Sequence, residues 1–268
     1  MIEETNVLQP NPLMEKLRIP GESFRLPSHG LFYSNSVMDE SVRNGELELY
    51  PMTTIDEIVI STPDKLLSGK AISEVFAHCI PQITNTHAVL AKDVDFLLVC
   101  LRMVSFGQFM DVLYTHNCDK AREHTYSVDL QEIIRHTKSI DPTTINQEYT
   151  CTLSNGQVVS LKPMTYGDII DIYQSTVAMK TNEMESKDTE TLIINTLISV
   201  ISNVDGITSR EHIREWATKL SLGHKKKIQE GIQAVSEWGI DMVSHQKCKD
   251  CGESVELRVS ANPVSFFT

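Results

Sequence analysis

A short stretch of the sequence occurs twice, and this repetition limits the folds that the chain can adopt. Residues 44–58 read NGELELYPMTTIDEI, and residues 155–170 read NGQVVSLKPMTYGDII. When Pro51 is aligned with Pro163, 112 residues later, five of the eight positions from 51 to 58 are identical. A repeat of this kind indicates that one supersecondary unit has been used twice in the chain.

The repeated phrase predicts a strand, a corner and the start of a helix. In both copies apolar residues alternate with other residues, which is the period of a strand with one face in a core. The Asn-Gly pairs at 44–45 and 155–156 favour the positive φ angles of tight hairpin turns. After the proline ends the strand, Thr-x-x-Asp at 53–56 and 165–168 is the pattern of a helix capping box. These structural roles account for the phrase without a catalytic function.

The sequence continues in parallel after each corner. In the first copy a helix is predicted over 92–107 with Asp93 as its N-terminal cap, and the second copy has an additional helix that begins with a capping box at Thr208 and Glu211. Each copy then has a glycine, a cysteine about ten residues later and a strand-like segment. We therefore predict an α+β fold: an internally duplicated unit of β-hairpin, helices and a zinc-ribbon-like β element.

This duplication predicts the following domain organisation. An extended N-terminal arm covers residues 1–24, the first α+β repeat covers 25–135, a polar linker covers 136–148, and the second repeat covers 149–268 and ends in a Cys-x-x-Cys ribbon.

Composition and charge exclude several classes of protein. A formal charge of −12 argues against a nucleic-acid-binding surface, because phosphate binding depends on clustered Lys and Arg. No apolar run approaches the length of a membrane span, and the first residues lack the pattern of a secretory signal. The chain is therefore expected in the cytoplasm, where its six cysteines would remain thiols or bind metal.

The segment CKDCGE at 248–253 is the one local motif with potential site chemistry. Cys-x-x-Cys followed by glycine can direct two thiolates at one tetrahedral Zn²⁺. Cys118 holds the place of Cys248 in the first copy and is the third candidate ligand, whereas the place of the second thiol is Ala121. Histidines 116, 124 and 245 are near enough in sequence to supply the fourth ligand, and His116 is taken as the candidate.

Other interpretations of these cysteines stay open. The hairpin could have lost its metal and be held by apolar packing alone. A redox Cys-x-x-Cys is a weaker alternative, because that motif normally opens a helix, whereas here a glycine and a strand follow. The sequence contains no Gly-x-x-x-x-Gly-Lys, Gly-x-Gly-x-x-Gly, His-Glu-x-x-His or Gly-x-Ser-x-Gly motif, so neither an enzyme nor a small-molecule substrate is predicted.

Five segments, taken in order, form a recognisable set: LPSHGLFY (26–33), GELELYPMTTIDE (45–57), the helix end SFG (105–107), PMTYGDII (163–170) and CKDCGESVELRVSANPVSFF (248–267). Together they resemble the baseplate hub protein family of T4-like contractile-tailed bacteriophages. The chain departs from the family pattern at Ala121, because relatives often carry Cys-x-x-Cys in both ribbon halves. That departure bears on metal binding more than on the fold.

The resemblance implies a non-enzymatic role in tail assembly. The chain would be a baseplate hub component or a hub assembly chaperone whose partners are other phage tail proteins. It would act in the host cytoplasm during assembly and, as a hub component, would be a structural protein of the virion baseplate. A different class, a zinc-ribbon nucleic-acid-binding regulator, predicts a basic stripe near the knuckle, and Lys247, Lys249 and Arg258 supply little of one.

Overall fold

Helices and small antiparallel sheets make up the fold. The structure is a computed structural model, and it describes residues 19–42, 44–118, 122–143, 149–180, 186–260 and 266–267. The strands are β1 (Glu22–Arg25), β2 (Glu46–Leu49), β3 (Phe109–Thr115), β4 (Glu123–Asp129), β5 (Thr150–Thr152), β6 (Val158–Leu161), β7 (Ile201–Val204), β8 (Val243–Lys247) and β9 (Ser254–Arg258).

The helices fall between these strands. They are α1 (Thr54–Ile60), α2 (Pro63–Leu67), α3 (Lys70–Cys79), α4 (Ala91–Phe106), α5 (Leu130–Arg135), α6 (Tyr166–Lys180), α7 (Ser186–Val200), α8 (Arg210–Thr218) and α9 (Leu222–Ala234). In the described part, the strands pair antiparallel as β1–β2, β3–β4, β5–β6–β7 and β8–β9. The predicted α+β class is therefore confirmed.

Both copies of the repeated phrase form the predicted corner. At the start of α1, the Thr53 side chain accepts a hydrogen bond from the Asp56 N–H, and Asp56 Oδ2 accepts one from the Thr53 N–H at 2.7 Å. At the start of α6, Asp168 Oδ2 accepts from the Thr165 N–H at 2.9 Å, and Thr165 Oγ1 accepts from the Asp168 N–H. Each box satisfies backbone donors that the first helical turn leaves without partners.

The two Asn-Gly pairs differ in their surroundings. Gly156 lies in a tight turn between the paired strands β5 and β6, with φ of +86°. Gly45 also has a positive φ, +71°, but β2 pairs with β1, from which residues 26–45 separate it. The Asn-Gly pair thus lies in a hairpin turn in the second copy, as predicted, whereas in the first copy the predicted hairpin is absent because β2 pairs with the distant β1. In the first copy the partner strand comes from a segment that the alternation pattern did not mark.

Two predicted helix caps are placed differently by the structure. Helix α4 begins after Leu90, and Asp93 lies within the first turn rather than at the cap. Its carboxylate instead accepts hydrogen bonds from the Ser28 N–H at 3.2 Å and from the Tyr33 hydroxyl at 2.6 Å. Helix α8 is capped by Ser209, one residue after the predicted Thr208. A serine and a threonine in sequence leave the cap ambiguous by one position.

The largest hydrophobic core lies around α3 and α4. It contains Phe76, Leu97 and Leu101 at 0% exposure. Residues from the last part of the chain belong to the same core, namely Cys248, Val255, Leu257, Val259, Phe266 and Phe267. The terminal hairpin therefore packs with elements of the predicted first repeat.

A second core lies inside the predicted second repeat, between the β5–β6–β7 sheet and helices α7, α8 and α9. A third, small cluster is formed by Leu90, Ile140, Tyr149, Val235 and Trp238. This small cluster combines side chains from both predicted repeats and the predicted linker.

The segments assigned to the arm and the linker are tied to the fold where the structure describes them. Residues 22–24 of the predicted arm form β1 together with Arg25, so the proposed boundary falls inside a strand. In the linker, Lys138 exchanges two backbone hydrogen bonds with Gly239, and the Ile140 N–H donates to Pro27 O at 2.9 Å. Residues 1–18 of the predicted arm and residues 144–148 of the linker lie outside the described residues. Within the described segments, none of the helices has the length and apolarity needed to cross a bilayer.

Candidate metal centre

Two β-hairpins bring the candidate ligands together. The first is β3–β4, which pairs from Phe109 with Asp129 to Thr115 with Glu123, and the second is β8–β9. In the second hairpin the turn CKDCGE is closed by the Cys248 N–H, which donates to Glu253 O at 2.8 Å, and by the Gly252 N–H, which donates to Cys248 O at 2.9 Å. Gly252 has φ of +79°, a conformation that glycine adopts without strain.

Four side chains from the ends of these hairpins converge. The ligand atoms of His116, Cys118, Cys248 and Cys251 all lie within 4.8 Å of one another, and Cys251 Sγ is 3.4 Å from His116 Nδ1. In a tetrahedral zinc site, Zn–S bonds of about 2.3 Å and Zn–N bonds of about 2.0 Å place the ligand atoms roughly 3.5–3.8 Å apart. The observed spacing and the Cys₃His donor set both fit such a site.

The thiol of Cys248 has its pKa lowered to about 6. The main cause is the backbone N–H of Cys251, followed by that of Asp250, because both donate hydrogen bonds that favour the thiolate. Cys248 is also buried, at 4% exposure. A buried sulfur held by two N–H donors is suited to coordination, since the thiolate is the form that binds metal.

A second set of contacts fixes the knuckle against β4. The Asp250 side chain is 2% exposed and accepts hydrogen bonds from Arg122 and, at 2.7 Å, from His124 Nε2. The Lys249 N–H donates to the Tyr126 hydroxyl at 3.2 Å, and the Lys249 ammonium contacts the carbonyl oxygen of Thr125. These contacts hold the turn that carries Cys248 and Cys251, as outer-shell groups commonly do at metal sites.

The structure places the candidate residues as follows. Cys118, Cys248, Cys251 and His116, the four named from sequence, lie in one cluster. His124 instead binds Asp250, and His245 lies on an exposed position of β8. Ala121 lies outside the described residues. Sequence reasoning missed Asp250, although its position between the two knuckle cysteines was a usable signal.

Another cluster of potential ligands, Asp56, His78 and Cys79, has a structural explanation. The Asp56 carboxylate already accepts from Thr53 in the capping box, and it lies 2.8 Å from His78 Nδ1. Burial, and then the neighbouring Asp56, raises the pKa of the Cys79 thiol to about 12. The Asp56 carboxylate is thus engaged by Thr53 and His78, and the capping box accounts for this cluster.

Comparison with protein-family models gives a match over residues 38–268 to the family described as T4 bacteriophage base plate protein. The match includes both copies of the repeated phrase and all four clustered candidate ligands. Comparisons with curated proteins and with solved structures give no match.

Proposed function

The chain belongs to the T4 bacteriophage base plate protein family, and from this premise we propose that it is a component of the baseplate hub or a factor that assembles the hub. The family match over residues 38–268 is the observation that carries the proposal. The protein would act by binding other tail proteins rather than by catalysis. Its place of action would be the host cytoplasm during assembly and, for a hub component, the finished tail.

The proposal is tested by affinity capture from phage-infected cells followed by mass spectrometry. Tagged protein should enrich baseplate proteins over a control capture with an unrelated acidic protein of similar size. Enrichment of host nucleic-acid-binding proteins, with no tail protein, would contradict it. Quantifying the chain in purified phage particles then separates the two roles, because a hub component stays in the particle and an assembly chaperone does not.

We propose further that His116, Cys118, Cys248 and Cys251 hold one structural Zn²⁺ that joins the β3–β4 and β8–β9 hairpins. Zinc would supply coordination bonds between two segments that are more than a hundred residues apart in sequence, and so contribute to folding. The convergence of three cysteines and one histidine supports the proposal. With the metal bound, the two hairpins would form one ribbon-like unit.

Elemental analysis of purified protein tests the zinc proposal. We expect a zinc content near one atom per chain, and we expect Cys118→Ser and Cys248→Ser to lose most of it. Cys151→Ser is the matched control, because Cys151 lies in the second core, away from the cluster. Equal zinc content in all variants, or none in the wild type, would argue for a hairpin held by packing alone.

We propose that residues 25–135 and 149–268 are duplicated copies of one unit. The two reciprocal capping boxes support this, as does the hairpin that ends each copy. Replacing residues 51–58 by the sequence of 163–170 tests whether the two strand-to-helix corners are structurally equivalent. The chimera should fold and lose about 1–2 kcal/mol, chiefly from the glycine that it introduces into α1. A chimera that failed to fold would contradict equivalence of the corners.

The contacts of the knuckle give little support to a nucleic-acid-binding role. The Lys249 ammonium already donates a hydrogen bond to the Thr125 carbonyl oxygen, and its Nζ lies 5.2 Å from the centre of the Tyr126 ring. A DNA mobility-shift titration at low salt is the discriminating measurement. Salt-sensitive binding that depends on Lys247 and Arg258 would favour the regulator instead.

A further inference from the structure

Two large apolar side chains on the outer face of β3 are exposed to solvent. Phe109 is 61% exposed and Leu113 is 65% exposed, with the exposed Asp111 between them. The alternate residues, Met110, Val112 and Tyr114, pack against the large core. Because the inner face alone accounts for the packing of β3, the two outer side chains are available for another contact.

The strand also has a free edge. Along all seven residues β3 pairs with β4 on one side, and within the described part of the chain no strand pairs with its other side. Such an edge presents unpaired N–H and C=O groups that can accept a further strand. Proteins commonly protect long edges with lysine or proline, and β3, which reads FMDVLYT, contains neither.

The charge of the hairpin limits the kind of partner. Strands β3 and β4 carry Asp111, Glu123 and Asp129, and neither strand contains Lys or Arg. A second copy of this chain would bring Asp111 of its own β3 against this acidic face, and each chain carries a formal charge of −12. Like charges placed across a strand pair are destabilising, so a basic partner fits and a second copy does not.

We propose that the free edge of β3 binds an extended segment of a tail protein in which every second residue is in turn apolar, lysine or arginine, and apolar, so that these three side chains lie on one face of the added strand. The segment adds a strand to the β3–β4 hairpin through main-chain hydrogen bonds. On that face its apolar side chains lie beside Phe109 and Leu113, and the basic side chain between them pairs with Asp111. This inference rests on the proposed function and deepens it by naming the surface and the chemistry of the partner.

Site-specific photo-crosslinking identifies the bound segment directly. Leu113 is replaced by p-benzoylphenylalanine, the protein is irradiated in phage-infected cells, and the crosslinked peptide is sequenced by mass spectrometry. A tail-protein segment with an apolar, a basic and an apolar residue at successive alternate positions supports the proposal. A crosslink to a second copy of this chain, a crosslink to an acidic segment, or no crosslink at this position while tail proteins are captured would each overturn it.

Surface variants measure the contribution of each group. We expect Asp111→Lys, and separately the double variant Phe109→Ser with Leu113→Thr, to weaken capture of tail proteins about tenfold or more. The matched control is Leu222→Ser, because Leu222 is 85% exposed on α9, away from this hairpin. Unchanged thermal melting would show that the variants fold. If both β3 variants captured tail proteins as well as the wild type, the proposal that the β3 edge binds the partner would be wrong. The proposed baseplate function would still stand.

A peptide titration tests strand binding at the β3 edge independently of whether the protein acts in the baseplate. The probe is an acetylated heptapeptide with valine, lysine and valine at positions 2, 4 and 6 and threonine elsewhere, and its charge-reversed control has glutamate at position 4. Binding of the lysine peptide should slow amide hydrogen exchange in β3, and Asp111→Lys should abolish this protection. Equal protection by both peptides, or protection by neither, would overturn the edge proposal even if tail proteins are captured by another surface.

Discussion

At the scale of single residues, Asp93 combines complete burial with a carboxyl group. Its side chain is 0% exposed, and burial raises its pKa to about 6 despite hydrogen bonds from Ser28 and Tyr33. The pKa of the unfolded chain is about 3.9. Because the folded value is the higher one, the folded state binds the extra proton between about pH 4 and 6, and the stability contributed by this group is lost as the pH rises through that window.

Asp93→Asn should therefore change how stability depends on pH. Relative to the variant, the wild type should lose about 2 kcal/mol of unfolding free energy between about pH 4.5 and pH 7, since one pKa unit corresponds to about 1.4 kcal/mol. Urea denaturation at the two pH values measures this difference. Asp111→Asn, which removes a carboxylate from an exposed strand face, is the control. If the stability of the Asp93→Asn protein depended on pH as that of the wild type does, the raised pKa of Asp93 would not be the cause of this pH dependence.

The role of Asp93 also shows what local sequence can and cannot predict about a residue. Its place before an apolar helical pattern suggested a cap, and the helix is indeed there. The true partners, Ser28 and Tyr33, are about sixty residues away and are brought near only by tertiary packing. The candidate metal ligands were found more easily, because each lies beside a strand-like segment and the repeat pairs Cys118 with Cys248.

At the scale of elements, the capping box at the start of α1 is expected to contribute to the free energy of unfolding. Asp56 is 5% exposed, and its carboxylate binds both the N–H and the hydroxyl of Thr53 as well as His78. Asp56→Ala should cost about 2 kcal/mol, because it removes the cap and leaves the Thr53 N–H unpaired. Asp64→Ala, at an exposed position in the first turn of α2, should change stability much less. Chemical denaturation measures both, and equal losses would contradict this role.

The glycines of the two Asn-Gly pairs should respond differently to substitution. A Cβ at Gly45 would lie 2.6 Å from the carbonyl carbon of His29, whereas a Cβ at Gly156 would meet no atom within 4 Å. Both have positive φ, so each alanine variant carries about 1–2 kcal/mol of backbone strain. Gly45→Ala should lose roughly 2 kcal/mol more than Gly156→Ala because of the clash. Similar melting temperatures for the two variants would show that the close approach to His29 is relieved easily.

Helices and strands could be predicted from sequence where the hydrophobic periodicity and the cap or turn residues indicate the same element. Helix α4 and the strands β4 and β9, which follow the cysteine of each copy, lie where the patterns indicated. Strand β7 was not foreseen, because Ile201–Val204 follows α7 directly with no glycine or proline between them. The pairing of β2 with β1 was missed as well, because the register of strands that are distant in sequence depends on the packed core rather than on a turn.

At the scale of the whole molecule, the proposed zinc would couple segments from both predicted repeats. Removing it with a chelator should increase hydrogen exchange in β3–β4 and β8–β9 together, and should lower the melting temperature by several degrees. The β5–β6–β7 sheet, which packs in its own core, should change less and serves as an internal control. Loss of protection confined to β8–β9 would indicate that the two hairpins are not joined by metal.

The shared core has a consequence for the order in which the protein is made. Phe266 and Phe267, each 1% exposed, complete a hydrophobic cluster whose other members, such as Leu26 and Phe76, leave the ribosome much earlier. Until the closing segment is synthesised, the nascent chain must carry that apolar surface uncovered, a condition that invites aggregation or chaperone binding. Synthesis of the segment that carries Phe266 and Phe267, rather than emergence of the first repeat, is then the step that commits the chain to its native state.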